Sequence, residues 1–162
     1  MIIAHEDSYI SQFADIEDSV RGSIISIGDG SYIDSFVKIK AAGGVGNVSI
    51  GKSTFINSGT VIYIGNGVKL GDNVSIGANC VIAPTSHEYR SADRLHQHQG
   101  FMPSNGGIII EDDVWIGAGV VLLDGSRVAK GSVIGAASLV RGLTVPFGVY
   151  VGNPLRQIGN RR

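Results

Sequence analysis

Aliphatic residues recur at every sixth position along most of the chain. From residue 110 onward the spacing is unbroken and is held by Ile110, Ile116, Leu122, Val128, Ile134 and Val140. Upstream the same spacing appears in shorter runs: Ile27, Ile33 and Ile39; Ile50 and Ile56; Ile64, Leu70, Ile76 and Ile82. A period of six matches neither the period of about 3.6 of an α-helix nor the heptad of a coiled coil, and the turns of a hairpin sandwich come every 8 to 12 residues or so. The pattern predicts a repeat of short strands.

The fourth place of each six-residue unit, or hexad, indicates what separates these strands. Glycine or asparagine holds it at Gly30, Gly59, Gly67, Asn73, Asn79, Gly119, Gly125 and Gly131. These two residue types most readily adopt a left-handed backbone conformation. Each hexad is therefore expected to be a short strand followed by a tight corner.

The fifth place is small or β-branched and suits a narrow interior. It is held by Val68, Val74, Cys80, Ser86, Val114, Val120, Ser126, Ser132, Ser138 and Thr144. Three hexads would close one triangular coil, and parallel strand pairing would stack the coils about 4.8 Å apart. The predicted fold is all-β: a parallel β-helix in the form of a triangular prism.

One long interruption follows His87, and the spacing resumes only at Ile110. We expect an extended loop at about 88–107, with His87 at its base. Counting hexads forward from Ile82 gives His87 the sixth place, an outward-facing corner position.

Length, charge and cysteine content narrow the possibilities. The 162 residues suffice for one domain, expected to span 1–162 with a short C-terminal tail from about 155. The near balance of 13 Lys and Arg against 14 Asp and Glu favours neither nucleic acid nor a membrane surface as a binding partner. The sequence shows no long apolar span and no leader pattern. With a single cysteine there is no disulfide framework, so a cytoplasmic protein is expected.

The charges are unevenly distributed along the chain. Seven acids and one base fall in the first 36 residues, whereas six bases and no acid fall between Arg127 and Arg162. An anionic ligand near the C-terminal end would fit this distribution.

The hexads "LGDNVSIGANCVIA" and "VWIGAGVVLL" resemble those of the hexapeptide-repeat acyltransferases, over roughly residues 16–154. The stretch from "FINSG" to "VGNPLR" is most similar to the galactoside and maltose O-acetyltransferases and their polysaccharide-modifying relatives. The resemblance implies a left-handed winding, acetyl-CoA as co-substrate, and a cyclic homotrimer with the active site between adjacent prisms. The insertion around "RLHQHQG" is longer than the sugar enzymes suggest, which leaves the acceptor open.

The resemblance also implies roles for individual residues. His87 would be the general base, since an imidazole can take the acceptor's proton and return it to the departing thiolate. Asn57, 30 residues upstream, would orient the acceptor hydroxyl or the imidazole.

On the donor side, an outward-facing Trp115 would wall the channel where thioester and acceptor meet. The backbone amides of Ala118 and Ala136 would bind the acetyl or pantetheine portion of coenzyme A. Arg141 and Arg156 would pair with its phosphates, because guanidinium and phosphate form a strong bidentate match.

Three functions remain open at this point. We favour acetyl-CoA-dependent O-acetylation of a sugar or glycan precursor by direct transfer, since Cys80 is expected in the core and no Gly-x-Ser-x-Gly elbow is present. A nucleotide-sugar N-acetyltransferase would share fold, donor and base. A metal-dependent, carbonic anhydrase-like hydratase would need three converging histidines from His5, His87, His96 and His98, and we expect no metal. The repeated outward threonines of an ice-binding β-helix do not occur.

Overall fold

Twenty short strands form three sheets in a computed structural model that describes residues 1–162. The first sheet contains β1 (Ile2–Ala4), β4 (Ile25–Ile27), β7 (Val48–Ile50), β10 (Val68–Leu70), β13 (Ile108–Ile110) and β16 (Arg127–Val128). The second contains β2 (Tyr9–Ile10), β5 (Tyr32–Ile33), β8 (Phe55–Ile56), β11 (Ser75–Ile76), β14 (Trp115–Ile116), β17 (Val133–Ile134), β19 (Gly148–Val151) and β20 (Arg156–Asn160). The third contains β3 (Asp15–Ile16), β6 (Lys38–Lys40), β9 (Val61–Tyr63), β12 (Val81–Ala83), β15 (Val121–Leu123) and β18 (Leu139–Val140).

The chain visits the first, second and third sheets in turn, so three successive strands make one coil of a triangular prism. Each strand up to β19 pairs in parallel with the strands one coil away, as where Ile76 lies between Ile56 and Ile116. The coils wind left-handed. The predicted left-handed parallel β-helix is therefore confirmed. We number its faces first, second and third after the sheets.

The first places of the hexads fill the interior of the prism. Ile110, Ile116, Leu122, Val128, Ile134 and Val140 are all fully buried, as are Ile33, Ile39, Ile56, Ile76 and Ile82. They belong to one apolar cluster of 26 residues. Burial of each such side chain contributes about 1.5–3 kcal/mol, so this column is the main source of stability.

The fourth places adopt the predicted left-handed corner conformation. All eight glycines and asparagines identified there have positive φ, from 57° at Asn73 to 102° at Gly67. Phe36, Ser53, Asp113 and Ala137 occupy the same place in other hexads and also have positive φ. The coil therefore imposes this corner even on residues that disfavour it.

A second set of glycines lies just after the strands of the first face, where the backbone of one coil closely approaches that of the next. A Cβ added to Gly28 would lie 2.7 Å from the carbonyl carbon of Gly51, and one added to Gly71 would lie 2.7 Å from the backbone nitrogen of Asp112. These positions require glycine because there is no room for a side chain, whatever their φ.

The fifth places are interior only while the hexads continue. Val74, Cys80, Val120, Ser126, Ser132 and Ser138 are buried as predicted. Ser86 is exposed and Thr144 is only partly buried, so the prediction is wrong for Ser86. The buried residue after β12 is instead Pro84, and the chain leaves the coil before His87. His87 is exposed, but outside the hexad frame.

Extra residues accumulate at one corner of the prism, between the third and first faces. The connections 17–24, 41–47 and 84–107 all lie there. The longest begins four residues before the predicted 88–107 loop, and an antiparallel bridge between His87 and Phe101 closes its base. Its 3₁₀ turn, His96–His98, is the only helical segment, so the structure contains no helix long and apolar enough to cross a membrane.

The C-terminal segment is ordered against the prism and is not the tail predicted from about 155. β20 runs antiparallel to β19, with Val151 opposite Arg156. Beyond it, Arg161 donates to the Asp113 carboxylate at 2.9 Å and to the Gly131 carbonyl at 3.0 Å.

Gly71→Ala should destabilise the protein by about 1–3 kcal/mol, since the new methyl group would overlap the backbone of the next coil. Thermal unfolding followed by circular dichroism would show the lower melting temperature. Gly159→Ala is the matched control, because a Cβ there meets nothing within 4 Å. Equal melting temperatures for the two variants would contradict this account of the second glycine set.

Candidate functional site

His87 lines a cavity of about 320 Å³ at the corner between the third and first faces. The walls are formed by Ala42, Gly43, Tyr63, Ala83, Thr85, His87 and Phe101. Two of the extended connections, 41–47 and 84–107, and strands of two coils contribute to it, so it exists because the chain departs from the smooth prism. Imidazole, phenol, hydroxyl and aromatic groups surround a space of sugar size.

The base of the 84–107 loop positions the imidazole. Glu88 donates its backbone N–H to the Gly100 carbonyl at 3.0 Å, and Met102 donates to the Ser86 carbonyl at 2.8 Å. These bonds place the Phe101 ring against the His87 ring, with centroids 4.7 Å apart. Neither ring nitrogen of His87 has a hydrogen-bond partner within the chain.

A charged pair follows His87 directly. Arg90 donates from Nε to both carboxylate oxygens of Glu88, at 2.9 and 3.1 Å. These side-chain hydrogen bonds lower the pKa of Glu88 to about 2. Glu88 is therefore a carboxylate at neutral pH, with its charge directed to Arg90.

The sequence pattern identified none of the six other residues of this cavity, which include Gly43, Tyr63, Thr85 and Phe101. Gly43 has a φ of +82°, and a Cβ on it would lie 2.7 Å from the Thr85 hydroxyl. A signal was available, because the 41–47 connection adds residues to its coil at the same corner as the long loop.

Asn57 lies at the corner between the second and third faces, one coil before β12. Its Nδ2 donates to the Ile76 carbonyl at 2.6 Å, which leaves Oδ1 as a free acceptor on an exposed side chain. Within one chain the third face separates Asn57 from His87. The expected contact between Asn57 and the imidazole is therefore not made inside a single chain.

Trp115, Ala118 and Ala136 lie along the second face and its edge toward the third face. Trp115 is 58% exposed and lines a cavity of about 300 Å³ together with Ser75, Val133 and Arg161, among others. Ala118 and Ala136 are exposed, and neither backbone N–H has an acceptor within the chain. These unpaired donors are available to a ligand.

The two predicted phosphate-binding arginines lie at different edges of the prism. Arg156 begins β20 beside Val151, on the edge that carries Ala136. Arg141 follows β18 at the opposite edge of the third face, where it lines a cavity of about 210 Å³ with loop residues Tyr89 and Asn105. One chain does not bring these two guanidinium groups together, because the strands that precede them belong to different sheets.

The third face connects the two edges and is apolar through its later coils. Val61, Val81, Val121 and Leu139 form one outward column along it, flanked by Ala83 and Leu123. The first coils instead carry charges there, with Lys40 paired to Asp15.

The remaining candidates lie elsewhere. Cys80 is buried, its thiol contacts the Gly117 carbonyl at 3.2 Å, and burial raises its pKa, so it is not a nucleophile. His96 and His98 are exposed on the 3₁₀ turn. Three metal-ligating side chains converge at only one place, formed by His5, Asp7 and Asp29.

Comparisons with known proteins show which family and fold this chain resembles. Residues 107–142 match the family model described as "Bacterial transferase hexapeptide (six repeats)". The galactoside O-acetyltransferase of Lactococcus lactis is 37% identical over 100 residues, which cover 58% of this chain and 44% of that protein. The galactoside O-acetyltransferase of Escherichia coli is 28% identical over 93% of this chain and 71% of its own length.

Among solved structures, a variant of the N-acyltransferase AntD from Bacillus cereus superposes with a TM-score of 0.83 at 24% identity. The match covers 99% of this chain and 84% of AntD, which was crystallised with dTDP-4-amino-4,6-dideoxyglucose and coenzyme A. At this identity the likeness establishes the fold alone. The chain spans about half the length of the first curated relatives that it matches.

Proposed function

Because this chain belongs to the hexapeptide-repeat transferase family, we propose that it transfers an acetyl group from acetyl-CoA to a hydroxyl of a sugar or glycan precursor in the cytoplasm. The observation that carries the proposal is the exposed His87 imidazole at the mouth of a cavity lined by Tyr63, Thr85 and Phe101. The two galactoside O-acetyltransferases among the relatives support a sugar hydroxyl as acceptor.

In the reaction, His87 takes the proton of the acceptor hydroxyl as its oxygen attacks the thioester carbonyl carbon. The tetrahedral intermediate collapses with cleavage of the carbon–sulfur bond, and the imidazolium returns the proton to the coenzyme A thiolate. A positioned base of this kind contributes about 10²- to 10⁴-fold in rate. The buried Cys80 supports direct transfer without an acetyl-enzyme.

The donor would lie along the edge between the second and third faces. The unpaired N–H groups of Ala118 and Ala136 suit the carbonyl and amide oxygens of the thioester and pantetheine arm. One such donor directed at the developing oxyanion is worth about 2.7–4 kcal/mol. Arg156, at the same edge, suits the phosphates, and the exposed Trp115 ring suits the wall of the channel.

A homotrimer would complete the site. In each chain, His87 and Arg141 lie at one edge of the third face, whereas Asn57, Ala118 and Arg156 lie at the other. If three chains turn their apolar third faces toward a common axis, the His87 edge of one chain meets the Asn57 edge of the next. The catalytic base, Asn57 and the donor would then come from two subunits, and Arg141 of one chain would approach Arg156 of its neighbour.

An N-acetyltransferase acting on an amino sugar is the alternative, and one observation favours it. The structural likeness to AntD covers nearly the whole chain, and that protein was crystallised with an amino sugar nucleotide. An amine attacks a thioester with less help from a base than an alcohol needs. Residual activity without His87 therefore distinguishes the two acceptors.

His87→Ala should lower kcat by about 10²- to 10⁴-fold with hydroxyl sugars, since no other imidazole and no carboxylate lines the cavity. Thiol release from acetyl-CoA should be measured across a panel of hydroxyl and amino sugars, with His98→Ala as the matched control. Activity of His87→Ala that recovers at high pH with amino sugars alone would establish nitrogen as the acceptor. Unchanged activity with every acceptor would remove His87 from the mechanism.

Arg156→Ala should raise the KM for acetyl-CoA about tenfold, equivalent to the loss of one charge-assisted hydrogen bond, while the KM for the acceptor stays the same. Steady-state kinetics with each substrate varied in turn would measure this. Arg162→Ala removes the same charge at the end of the chain and serves as control. A change confined to the acceptor KM would overturn the phosphate role of Arg156.

Mixed oligomers should test whether the site is shared between chains. When His87→Ala and Asn57→Ala chains are unfolded, mixed and refolded together, about one quarter of the sites should combine an intact His87 with an intact Asn57 from the neighbour. Activity should therefore rise well above that of either variant refolded alone. If both residues serve a site within the same chain, mixing will restore nothing.

A further inference from the structure

A cluster of three ligand-type side chains lies away from the proposed active site, at the corner between the first and second faces of the first two coils. His5 Nδ1 is 3.5 Å from Asp29 Oδ1 and 3.8 Å from Asp7 Oδ2. One ligand atom from each of the three residues lies within 4.8 Å of the other two. His5 and Asp7 belong to the first coil and Asp29 to the second.

The side chain of Asp29 departs from the pattern set by its counterparts in later coils. Asp72 Oδ1 accepts the backbone N–H of Lys52, one coil earlier, at 2.7 Å, and Asp112 Oδ1 accepts that of Asp72 at 2.9 Å. The strand register places Asp29 in the same column. Its carboxylate nevertheless caps no backbone amide of the first coil and is directed to the His5 ring instead.

Nδ1 of His5 is the ring nitrogen that faces both carboxylates. It accepts the backbone N–H of Asp7 at 3.3 Å, a long hydrogen bond that a metal ion bound to the same lone pair would replace. The imidazole and the two carboxylates would then supply one nitrogen and two oxygens. Bonds of about 2.1 Å in a tetrahedral site separate the ligand atoms by about 3.4 Å, close to the two distances from Nδ1.

The space beside the cluster leaves room for further ligands. A cavity of about 490 Å³ is lined by His5 and Asp29 together with Ser26, Gly28 and Lys52. Water can complete the coordination from this side. The two carboxylates of the cluster outnumber Lys52, the one basic side chain in the cavity wall.

We propose that His5, Asp7 and Asp29 form a binding site for a divalent transition-metal ion of the zinc class, which fastens the first coil to the second. A ligand set of imidazole and carboxylates suits Zn²⁺, Co²⁺ and Ni²⁺, whereas Mg²⁺ and Ca²⁺ prefer sites made of oxygen ligands alone. The ion is structural, because the site lies at a different corner from His87 and several coils away.

The first coil is the part of the prism that gains most from such a link. Its strands β1, β2 and β3 each pair on one side only. Ile2 and Ile3 remain 40% and 50% exposed, whereas the corresponding Ile25 of the second coil is fully buried. A ligand that binds only the folded coil shifts its opening equilibrium toward the closed state.

The test uses the full chain, stripped of metal with a chelator and titrated with Zn²⁺ by calorimetry and with Co²⁺ by visible absorption. We expect one ion per chain, a higher melting temperature, and slower amide hydrogen exchange in residues 2–10. Asp29→Asn and His5→Ala should each weaken binding about tenfold or more and abolish the exchange effect.

Two matched variants make the result specific. Glu6→Gln removes one negative charge, as Asp29→Asn does, at the position between His5 and Asp7 in the sequence. It should leave the affinity for Zn²⁺ within about twofold. A double variant, His96→Ala with His98→Ala, removes the two exposed histidines of the 3₁₀ turn and should also leave the affinity for Zn²⁺ unchanged. Binding that survives Asp29→Asn, or that is lost in the double variant, overturns the proposal, as does the absence of saturable binding.

Discussion

Stacking of each residue on its counterpart one coil away is the constraint on which the rest of this structure depends. Parallel pairing without a register shift places Ile56, Ile76 and Ile116 in one column, and the interior is filled by such columns. The same stacking brings backbone against backbone at Gly71 and Asp112, and it fixes a left-handed corner even where Phe36 or Ala137 must adopt it. Interior composition, corner conformation and glycine placement are thus three results of one geometric repeat.

That constraint also decides where chemistry is possible. A prism whose columns continue unbroken offers flat faces, and the cavity around His87 forms where the chain adds residues between columns. The additions at 17–24, 41–47 and 84–107 share one corner, and His87 lies there with Tyr63 and Phe101. The opposite edge of the third face keeps its close stacking and exposes the unpaired amides of Ala118 and Ala136. In the proposed trimer, an edge with a pocket and an edge with backbone donors would form one site where two chains meet.

The sequence was sufficient for features that follow from the repeat. It predicted the buried first places and the corners at Asn73 and Gly131, because each depends only on position within a hexad. His87 is exposed as predicted, but it lies outside the hexad frame. The sequence was insufficient where the hexad frame ends. Ser86 is exposed because the chain has already left the coil, and Gly43 reaches the His87 cavity through a corner connection that has no period. The separation of Arg141 from Arg156 depends on β20 folding back against β19, which no hexad encodes.

The antiparallel strand β20 has a consequence for behaviour at high concentration. A stack of parallel strands is a ready template for further identical strands, and unprotected ends of this kind are where fibres begin. β20 runs against the direction of the seven other strands of the second sheet and begins with an arginine. An incoming chain therefore meets a reversed hydrogen-bonding pattern on that sheet, which disfavours continuation of its parallel stack from this end.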